Sequence, residues 1–375
     1  MIASASEGMS ATMRAARLHR PGEPLAIDRI AVPEPGPHDV LIAVKACGVI
    51  PNMNAIFGGT LWNRLPPLPA SVGLDAAGVV TEVGSAVSGI AAGARVYVNP
   101  WLHCRTCAYC RAGAPLQCAA AAFQGYFGFT DQSAPLLRAY PHGGFAEFMT
   151  AAAERLVMLP DAVSFEAAAR FGYLGTAFAA LRRGGAGAGS WIAINGVTGT
   201  LGAGATLLAL GMGATRILGI GRNRDVLAQL KALAPARIDT LALGDAPIAD
   251  WLLARTDRIG VDVLIDCSGR AASAATTTAA LGALKRGGVA VNIGALTETL
   301  AIEPIGYMVK SLQFRGSNWF TTGEGQLMAE MAGVGVLALS ALTTRAYPLD
   351  GVNDALAAVK ARPGGLVNIV VNPDR

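Results

Sequence analysis

A glycine-rich turn between two apolar runs constrains the fold of this chain more than any other feature of its sequence. The runs Trp191–Asn195 and Arg216–Gly221 predict buried parallel strands, and the glycine turn between them opens an Ala/Leu-rich helix that extends to about Leu210. This order of strand, turn, helix and strand is a βαβ unit, in which the helix N-terminus can bind a pyrophosphate. Glycines suit the turn because they let the backbone approach the phosphates closely.

The glycine spacing departs from the usual GxGxxG pattern. If Gly199 and Gly202 are its last two glycines, Val197 occupies the first position and Gly196 lies one residue earlier. Such a turn is weak evidence alone, but strands and a helix flank it as the pattern requires. We therefore predict that a dinucleotide contacts the turn at Gly196, Gly199, Thr200, Leu201 and Gly202.

The end of the second strand indicates which dinucleotide is bound. An NAD site usually places an acidic residue about 20 positions after the glycine turn, to bind the ribose 2′-hydroxyl. This chain has Arg222, Asn223 and Arg224 there, and guanidinium groups suit a 2′-phosphate. We predict NADP(H) as the cofactor; the alternative is an ordinary solvated basic helix start.

Composition limits the possible classes of protein. A chain of 375 residues is expected to hold two domains. With 15% charged and 52% apolar residues and 46 glycines, the composition favours a large α/β core over disorder. The net charge of +4 is small and scattered, so we expect no nucleic-acid partner.

Two segments bear on membranes and export. Trp191–Thr215 carries no charge, but its glycines follow a strand–turn–helix order, so we interpret it as the nucleotide unit and predict no membrane span. Met1–Thr12 lacks the basic start and apolar block of a secretory signal. We predict a disordered tail over residues 1–13, a first strand at Arg14–Leu18 and a cytoplasmic location.

The remaining pattern predicts two kinds of architecture. Residues 13–50 and 73–100 contain short, partly alternating strands separated by Pro/Gly turns, which indicates a β-rich, partly barrel-like domain. From about Ser164, helical segments alternate with apolar strands such as 261–269 and 287–295. That alternation predicts a doubly wound parallel sheet, so the fold class is α/β.

Four cysteines lie close together, in the spacing Cys-x2-Cys-x2-Cys-x7-Cys; they are Cys104, Cys107, Cys110 and Cys118. This set predicts one structural Zn²⁺ per chain, held tetrahedrally by four thiolates. Disulfide pairing is the alternative, and it is disfavoured because nothing marks the chain as exported. His103 adjoins this lobe, but four cysteines leave it no coordination role.

With the cysteine lobe followed by the nucleotide unit, the sequence resembles the medium-chain dehydrogenase/reductase superfamily, in particular the zinc-type alcohol dehydrogenases. The resemblance covers the chain after the tail and includes EPGPHDVLIAVKACGV, GLDAAGVVTEVG, GGFAEF and GGVAVNIGA. It implies a GroES-like β-barrel catalytic domain formed by residues 14–173 and 317–375, with the zinc lobe at 99–118. It also implies an inserted Rossmann NADP-binding domain at 174–316, an active site in the cleft, and a homodimer or homotetramer.

The resemblance also implies where a catalytic zinc would be bound, and this chain departs from the family there. Where the family reads CGxC, the second cysteine is replaced by Ile50; the histidine of the family's GHE is Leu74. The third ligand precedes a cofactor-contacting threonine by four residues; if that threonine is Thr176, the ligand position is Gly172. Ile, Leu and Gly offer zinc no side-chain donor atom.

We complete the predicted cofactor contacts with Thr176, Ser268, Ile293 and Gly294.

Without zinc, simple alcohol oxidation loses the group that forms an alkoxide near neutral pH, but hydride transfer from NADPH is still feasible if the acceptor is already activated, as in an α,β-unsaturated carbonyl, a quinone or an iminium. A developing enolate oxygen then needs a hydrogen-bond donor, and a proton must be delivered. Asn52 replaces the family's hydroxyl residue beside the metal and is our candidate donor, although Asn also serves ordinary turns. Tyr173 is the candidate proton source, with helix packing as its alternative role.

Apolar and aromatic side chains predict a small apolar substrate, a class that includes aromatic compounds, although any one of these side chains can belong to the core. The predicted substrate pocket consists of Ile50, Phe57, Trp62, Leu74 and Trp101.

Three functional hypotheses follow from these residues. The first is an NADP(H)-dependent reductase of an activated C=C, C=N or C=O bond without catalytic zinc. The second is a zinc-dependent alcohol dehydrogenase or carbonyl reductase with atypical ligands, for example Asp75 and Cys47. The third is an NADPH-binding protein that catalyses no reaction.

Overall fold

A computed structural model describes residues 11–61 and 63–374 of the chain. Predictions for residues 1–10 and for Trp62 therefore concern positions outside the described residues. The described chain divides into two compact units. The first extends to Met158 and also includes Arg345–Ala361 and the residues from Ile369 onward. The second consists of Leu159–Thr344 and Arg362–Asn368.

The first unit consists mainly of short strands separated by Pro/Gly turns. Its strands are β1 (Thr12–Leu18), β2 (Ala26–Ala31), β3 (Asp39–Gly48), β4 (Ala70–Ser71), β5 (Asp75–Val83), β6 (Arg95–Val98), β7 (Trp101–Leu102), β8 (Ala122–Phe123), β9 (Phe127–Gly128), β10 (Phe148–Ala152) and β11 (Leu156–Met158), joined near the C-terminus by β18 (Thr343–Pro348) and β19 (Val367–Asn372). Its helices are α1 (Met53–Phe57), α2 (Ala108–Arg111), α3 (Ala134–Ala139) and α12 (Val352–Lys360).

The largest sheet of this unit has the strand order β11-β6-β5-β3-β19-β18, and β10 also pairs with β3. Strands β5, β10 and β19 run antiparallel to β3, so both ends of the chain contribute to one sheet. Smaller sheets are formed by β2-β1-β4 and by β7-β8-β9. This is the GroES-like β-structure that the resemblance implied.

The second unit alternates strands and helices. Its elements are α4 (Phe165–Ala168), α5 (Phe171–Arg183), β12 (Trp191–Asn195), α6 (Thr200–Gly211), β13 (Arg216–Gly221), α7 (Arg224–Leu233), β14 (Ile238–Ala242), α8 (Ile248–Ala254), β15 (Val261–Asp266), α9 (Ala274–Leu281), β16 (Leu284–Asn292), α10 (Pro304–Lys310), β17 (Gln313–Gly316) and α11 (Thr322–Gly333).

The strands of the second unit form one parallel sheet in the order β14-β13-β12-β15-β16-β17. This is the doubly wound Rossmann order. Strands β12, β13 and β15 are apolar over nearly their whole length because helices pack against the central strands of the sheet. The predicted bounds of β12 and β13 are confirmed.

Two boundaries differ from the prediction. Strand β1 begins at Thr12, because Thr12 pairs with Ala31 and Met13 is fully buried, so the predicted tail extends two residues too far. The division into units also differs: residues 159–173 and 317–344 pack with the parallel sheet. A boundary after residue 173 would cut α5, which is one continuous hydrogen-bonded helix and packs against α6 and α11.

Candidate functional site

The glycine turn of the second unit has the geometry of a phosphate-binding loop. The N–H groups of Gly196 and Val197 both donate to the carbonyl oxygen of Ile220, at 2.9 Å, which fixes the turn to β13. Gly199 is the N-cap residue of α6, and no side chain caps this helix. The N–H groups of its first turn have no carbonyl partner within the helix, so they are suited to binding an anion.

Backbone conformation explains one glycine of the turn, and close backbone packing explains another. Gly196 has φ +77°, a left-handed conformation that glycine adopts without strain. A Cβ atom on Gly202 would lie 2.5 Å from the Cα atom of Val197 and would overlap the carbonyl oxygen of Gly196. The helix and the turn therefore approach each other as closely as a pyrophosphate loop requires.

The three residues that follow β13, Arg222, Asn223 and Arg224, play different roles. The Oδ1 atom of Asn223 caps α7 by accepting from the N–H groups of Asp225 and Val226, both at 3.1 Å. Arg224 forms two hydrogen bonds to Asp245, at 3.0 and 2.5 Å, and this pairing lowers the pKa of Asp245. Arg222 is exposed, and none of the contacts among the described residues engages its guanidinium group. Of the two arginines, Arg224 is thus engaged by a carboxylate, whereas Arg222 is not, and the predicted contact of either with a 2′-phosphate stays a prediction.

A buried polar network lies at the carboxyl ends of the central strands. Asn195, Asp266 and Asn292 end β12, β15 and β16 and are aligned in register across the sheet. The Nδ2 group of Asn195 donates to Ser268 Oγ at 2.9 Å, and Thr277 donates to Asp266 at 2.8 Å.

Sequence reasoning missed Asn195, Asp266 and Thr277. A polar residue at the end of each apolar run was the available signal, since ligands bind at the carboxyl edge of such sheets. The same edge brings together three residues that were predicted to contact the cofactor. The N–H groups of Ile293 and Gly294 both donate to the carbonyl oxygen of Asp266, and a Cβ on Gly294 would lie 2.6 Å from the Ser268 nitrogen.

The two remaining candidates of the second unit lie on α5. Thr176 is buried, and its hydroxyl donates to the carbonyl oxygen of Gly172 at 2.8 Å. Tyr173 is half-buried, with the guanidinium carbon of Arg170 5.9 Å from its ring centroid. The proton-donor role of Tyr173 stays a prediction.

The four lobe cysteines converge in the first unit. Their Sγ atoms all lie within 4.8 Å of one another, and Cys104 Sγ is 3.6 Å from Cys118 Sγ and 4.0 Å from Cys110 Sγ. Tetrahedral zinc with Zn–S bonds of about 2.3 Å would place the sulfurs about 3.8 Å apart, so the thiols fit the ion. Backbone N–H groups of Thr106 and Cys107 lower the pKa of the Cys104 thiol to about 6, which favours the thiolate.

These thiols are all free in the structure. The four lobe cysteines therefore form no disulfide with one another, which argues against the alternative of disulfide pairing. His103 lies beside the lobe, with Nδ1 3.6 Å from Cys110 Sγ, and burial lowers its pKa.

Two positions at which the resemblance implies catalytic metal ligands are apolar and buried. Gly48 pairs with Asp75 at the ends of β3 and β5, so Ile50 and Leu74 both lie just beyond this end of the strand pair. The exposed fraction of Ile50 is 5% and that of Leu74 is 3%. Among residues 11–61 and 63–374, the lobe cysteines are the only group of three or more His, Cys, Asp or Glu side chains placed to hold a metal.

Asn52 lies next to these positions. It occupies the N-cap position of α1, but its side chain makes no capping hydrogen bond. Instead, the hydroxyl of Tyr126 donates to Asn52 Oδ1 at 3.0 Å. Sequence reasoning did not single out Tyr126 individually, although it lies in the aromatic segment Phe123–Phe129.

The predicted pocket residues separate into two groups. Phe57 is buried and meets the Tyr126 ring edge-on, with the ring centroids 5.8 Å apart, so it belongs with Asn52. Trp101 packs on Phe123 within the lobe region, and its indole N–H donates to the carbonyl oxygen of Pro115 at 3.1 Å. These contacts assign Trp101 to packing and do not support its predicted substrate role. Trp62 lies outside the described residues.

No helix within the described residues has the length and apolar character that a membrane span requires.

Comparison with known proteins adds independent findings. Residues 36–161 match the model of the alcohol dehydrogenase GroES-like domain, and residues 200–333 match that of the zinc-binding dehydrogenases. An alcohol dehydrogenase of Geobacillus stearothermophilus is 30% identical over 346 residues, which cover 91% of this chain and 94% of that protein. A probable D-xylulose reductase A of Neosartorya fischeri is 27% identical and covers 88% of each chain.

Solved structures agree with these matches. The NADP-bound structure of a protein described as a zinc-binding dehydrogenase, from Sinorhizobium meliloti 1021, superposes with a TM-score of 0.83. It is 26% identical, and the match covers 97% of this chain and 100% of that one.

Proposed function

Because the chain belongs to the zinc-type alcohol dehydrogenase-like branch of the medium-chain dehydrogenase/reductase family, we propose that it is an NADP(H)-dependent oxidoreductase that reduces an activated C=C, C=N or C=O bond without catalytic zinc. The observation that carries this proposal is the apolar character of the catalytic metal positions. Buried Ile50 and Leu74 stand at two of them, and neither can donate a lone pair. Within residues 11–61 and 63–374, the lobe cysteines are the one group of His, Cys, Asp or Glu side chains placed to hold a metal, and no such group lies at Ile50 and Leu74.

The residues of the second unit fit a nicotinamide dinucleotide. The uncapped first turn of α6 would hold the pyrophosphate, and Arg222 would pair with a 2′-phosphate. When bound, NADPH supplies the hydride. The protein's own contribution is to hold the acceptor in an apolar site and to donate a hydrogen bond to the oxygen on which charge develops. We assign that donation to the amide of Asn52.

The zinc-dependent alternative uses Cys47 and Asp75 as ligands and needs at least a third. Cys47 lies opposite Ala76, one position from the Gly48–Asp75 pair, but Asp75 accepts a hydrogen bond from the hydroxyl of buried Tyr97 at 2.8 Å. These observations favour the zinc-free hypothesis.

The first experiment is zinc content per chain on purified, chelator-washed protein, measured by elemental analysis. We expect about one zinc per chain, held by the four lobe cysteines. A parallel assay follows NADPH oxidation with conjugated enones, quinones and iminium compounds, and with simple aldehydes and ketones as controls. We expect turnover with the activated acceptors and little with the controls.

Other outcomes would contradict specific parts of the proposal. About two zinc ions per chain, with alcohol-dependent reduction of NADP⁺, would establish the zinc-dependent alternative. Tight NADPH binding without oxidation by any acceptor would favour the non-catalytic hypothesis.

A further inference from the structure

The contact between Tyr126 and Asn52 is a hydrogen bond between a buried side chain and an exposed one. Tyr126 is 1% exposed, and its hydroxyl donates to Asn52 Oδ1 at 3.0 Å. We infer that Tyr126 is a positioning residue, which orients the Asn52 amide so that its Nδ2 group faces the substrate oxygen. This inference rests on the proposed function, because it assigns the orientation of the donor proposed there.

The usual structural role of an Asn at this position is absent. An N-cap Asn normally accepts from an N–H group two or three residues further on. Asn52 makes no such bond to α1, and its oxygen is bound by the phenol instead. The side chain is therefore oriented by a tertiary contact.

The backbone on either side of Tyr126 is held in place. Gly125 has φ +68°, and its carbonyl oxygen accepts from the N–H group of Gly73 at 2.9 Å. Gly73 directly precedes Leu74, so this bond ties the Tyr126 turn to one of the apolar metal positions. A Cβ on Gly125 would lie 2.5 Å from the Gly73 oxygen, and the close approach therefore requires glycine.

A buried polar anchor lies one residue earlier. The amide of Gln124 donates to the carbonyl oxygens of His142 and Thr150, both at 2.8 Å. Its Oε1 accepts from buried Arg155 at 2.7 Å, and burial lowers the pKa of that guanidinium to about 10. Breaking such a network would leave buried polar groups unpaired, so the turn is held firmly.

Aromatic contacts extend this support. The Tyr126 ring lies 5.8 Å from that of Phe57 and 4.9 Å from that of Phe127. Phe127 contacts Phe123, which contacts Trp101 in turn. The Tyr126 ring is thus fixed on two sides, and its hydroxyl has a defined direction.

The orientation of the Asn52 amide decides whether it stabilises or destabilises negative charge on the substrate oxygen. An Nδ2 group that faces a developing enolate oxygen stabilises the negative charge, whereas Oδ1 in the same place would repel it. The phenol donates to Oδ1, which selects the first orientation and also polarises the amide, so that Nδ2 becomes a better donor. The Tyr126 hydroxyl need not touch the substrate to contribute.

The test is a double-mutant cycle with Tyr126→Phe and Asn52→Ala, using NADPH and the best activated acceptor found. Tyr126→Phe keeps the ring contacts and removes only the hydroxyl. We expect kcat to fall about tenfold in Tyr126→Phe and about 100-fold in Asn52→Ala, as for a misaligned and a missing oxyanion donor. In the Asn52→Ala background, Tyr126→Phe should have no further effect, and the Kd for NADPH should stay unchanged throughout.

Tyr140→Phe is the matched control, since the Tyr140 hydroxyl donates to Asp39 at 2.9 Å in the same unit. It should keep wild-type kcat, although its melting temperature can fall. An unchanged kcat in Tyr126→Phe, or an equal loss from Tyr126→Phe in the wild-type and Asn52→Ala backgrounds, would overturn this inference and leave the proposed function standing. An inactive wild-type protein that still binds NADPH would overturn the proposed function, and this inference with it.

Discussion

At the scale of single residues, Arg222 and Arg224 are alike in sequence but not in environment. Arg224 is already engaged by Asp245 through two hydrogen bonds, whereas Arg222 is exposed. A 2′-phosphate would have to compete with Asp245 for Arg224. It would meet no such competition at Arg222, so the proposed preference for NADPH would depend mainly on this residue.

We therefore predict that Arg222→Ala weakens NADPH binding about tenfold or more, since a charge-assisted hydrogen bond contributes about 1.5–3 kcal/mol. NADH binding should stay nearly unchanged, because NADH lacks the phosphate. Arg224→Ala is the comparison and should cost less. The Kd values are measured by titrating the quenching of tryptophan fluorescence. A larger loss in Arg224→Ala, or equal losses for both cofactors, would show that the phosphate is bound elsewhere.

At the scale of elements, the glycine turn depends on how closely α6 approaches β12. Gly202 lies in the first turn of α6, where any side chain would collide with the backbone of Gly196 and Val197. Backbone atoms cannot move aside as a flexible side chain can. The turn and the helix N-terminus would therefore have to shift together.

We predict that Gly202→Ala lowers the free energy of unfolding by about 1–3 kcal/mol, as overpacking commonly does. It should also weaken NADPH binding, because the first-turn N–H groups move with the helix. Gly187→Ala is the control, since a Cβ there meets nothing within 4 Å. Urea denaturation measures stability, and the fluorescence titration measures binding. Wild-type stability and affinity in Gly202→Ala would contradict this account of the turn.

At the scale of the whole molecule, one edge of the parallel sheet has an unusual surface. Strand β17 is an edge strand whose residues are all exposed, including Phe314 at 39%. The preceding helix α10 exposes Ile305 at 61% and Met308 at 71%. An exposed edge strand beside apolar side chains is costly in a monomer and is suited to pairing with another chain. We propose that a second copy of this chain covers it.

The expected assembly is thus a homo-oligomer that contacts through β17 and α10. The double substitution Phe314→Glu with Met308→Glu should shift it towards the monomer, because like charges would meet across a symmetric interface. Size-exclusion chromatography with light scattering measures the mass. Val334→Glu is the control, as Val334 is 78% exposed but belongs to neither element. An unchanged mass in the double variant would place the interface elsewhere.

Local patterns in the sequence determined much of this protein. Apolar runs and glycines predicted β12, α6 and β13, because a buried parallel strand and a phosphate turn each require residues that are recognisable in short segments. The cysteine spacing predicted the lobe for the same reason, since the four thiols lie within one short loop segment. The replacement of the family's catalytic metal ligands at Ile50, Leu74 and Gly172 stays a prediction of the resemblance.

Contacts between distant segments were decided only by the tertiary structure. Tyr126 and Asn52 are 74 positions apart, and Asn195 and Ser268 are 73 apart, so no periodicity or short motif links them. The pairing of Arg224 with Asp245 removed one of two equivalent arginines from the predicted phosphate site. A side chain's type is written in the sequence, but whether it binds a ligand, caps a helix or packs in the core depends on what the fold places beside it.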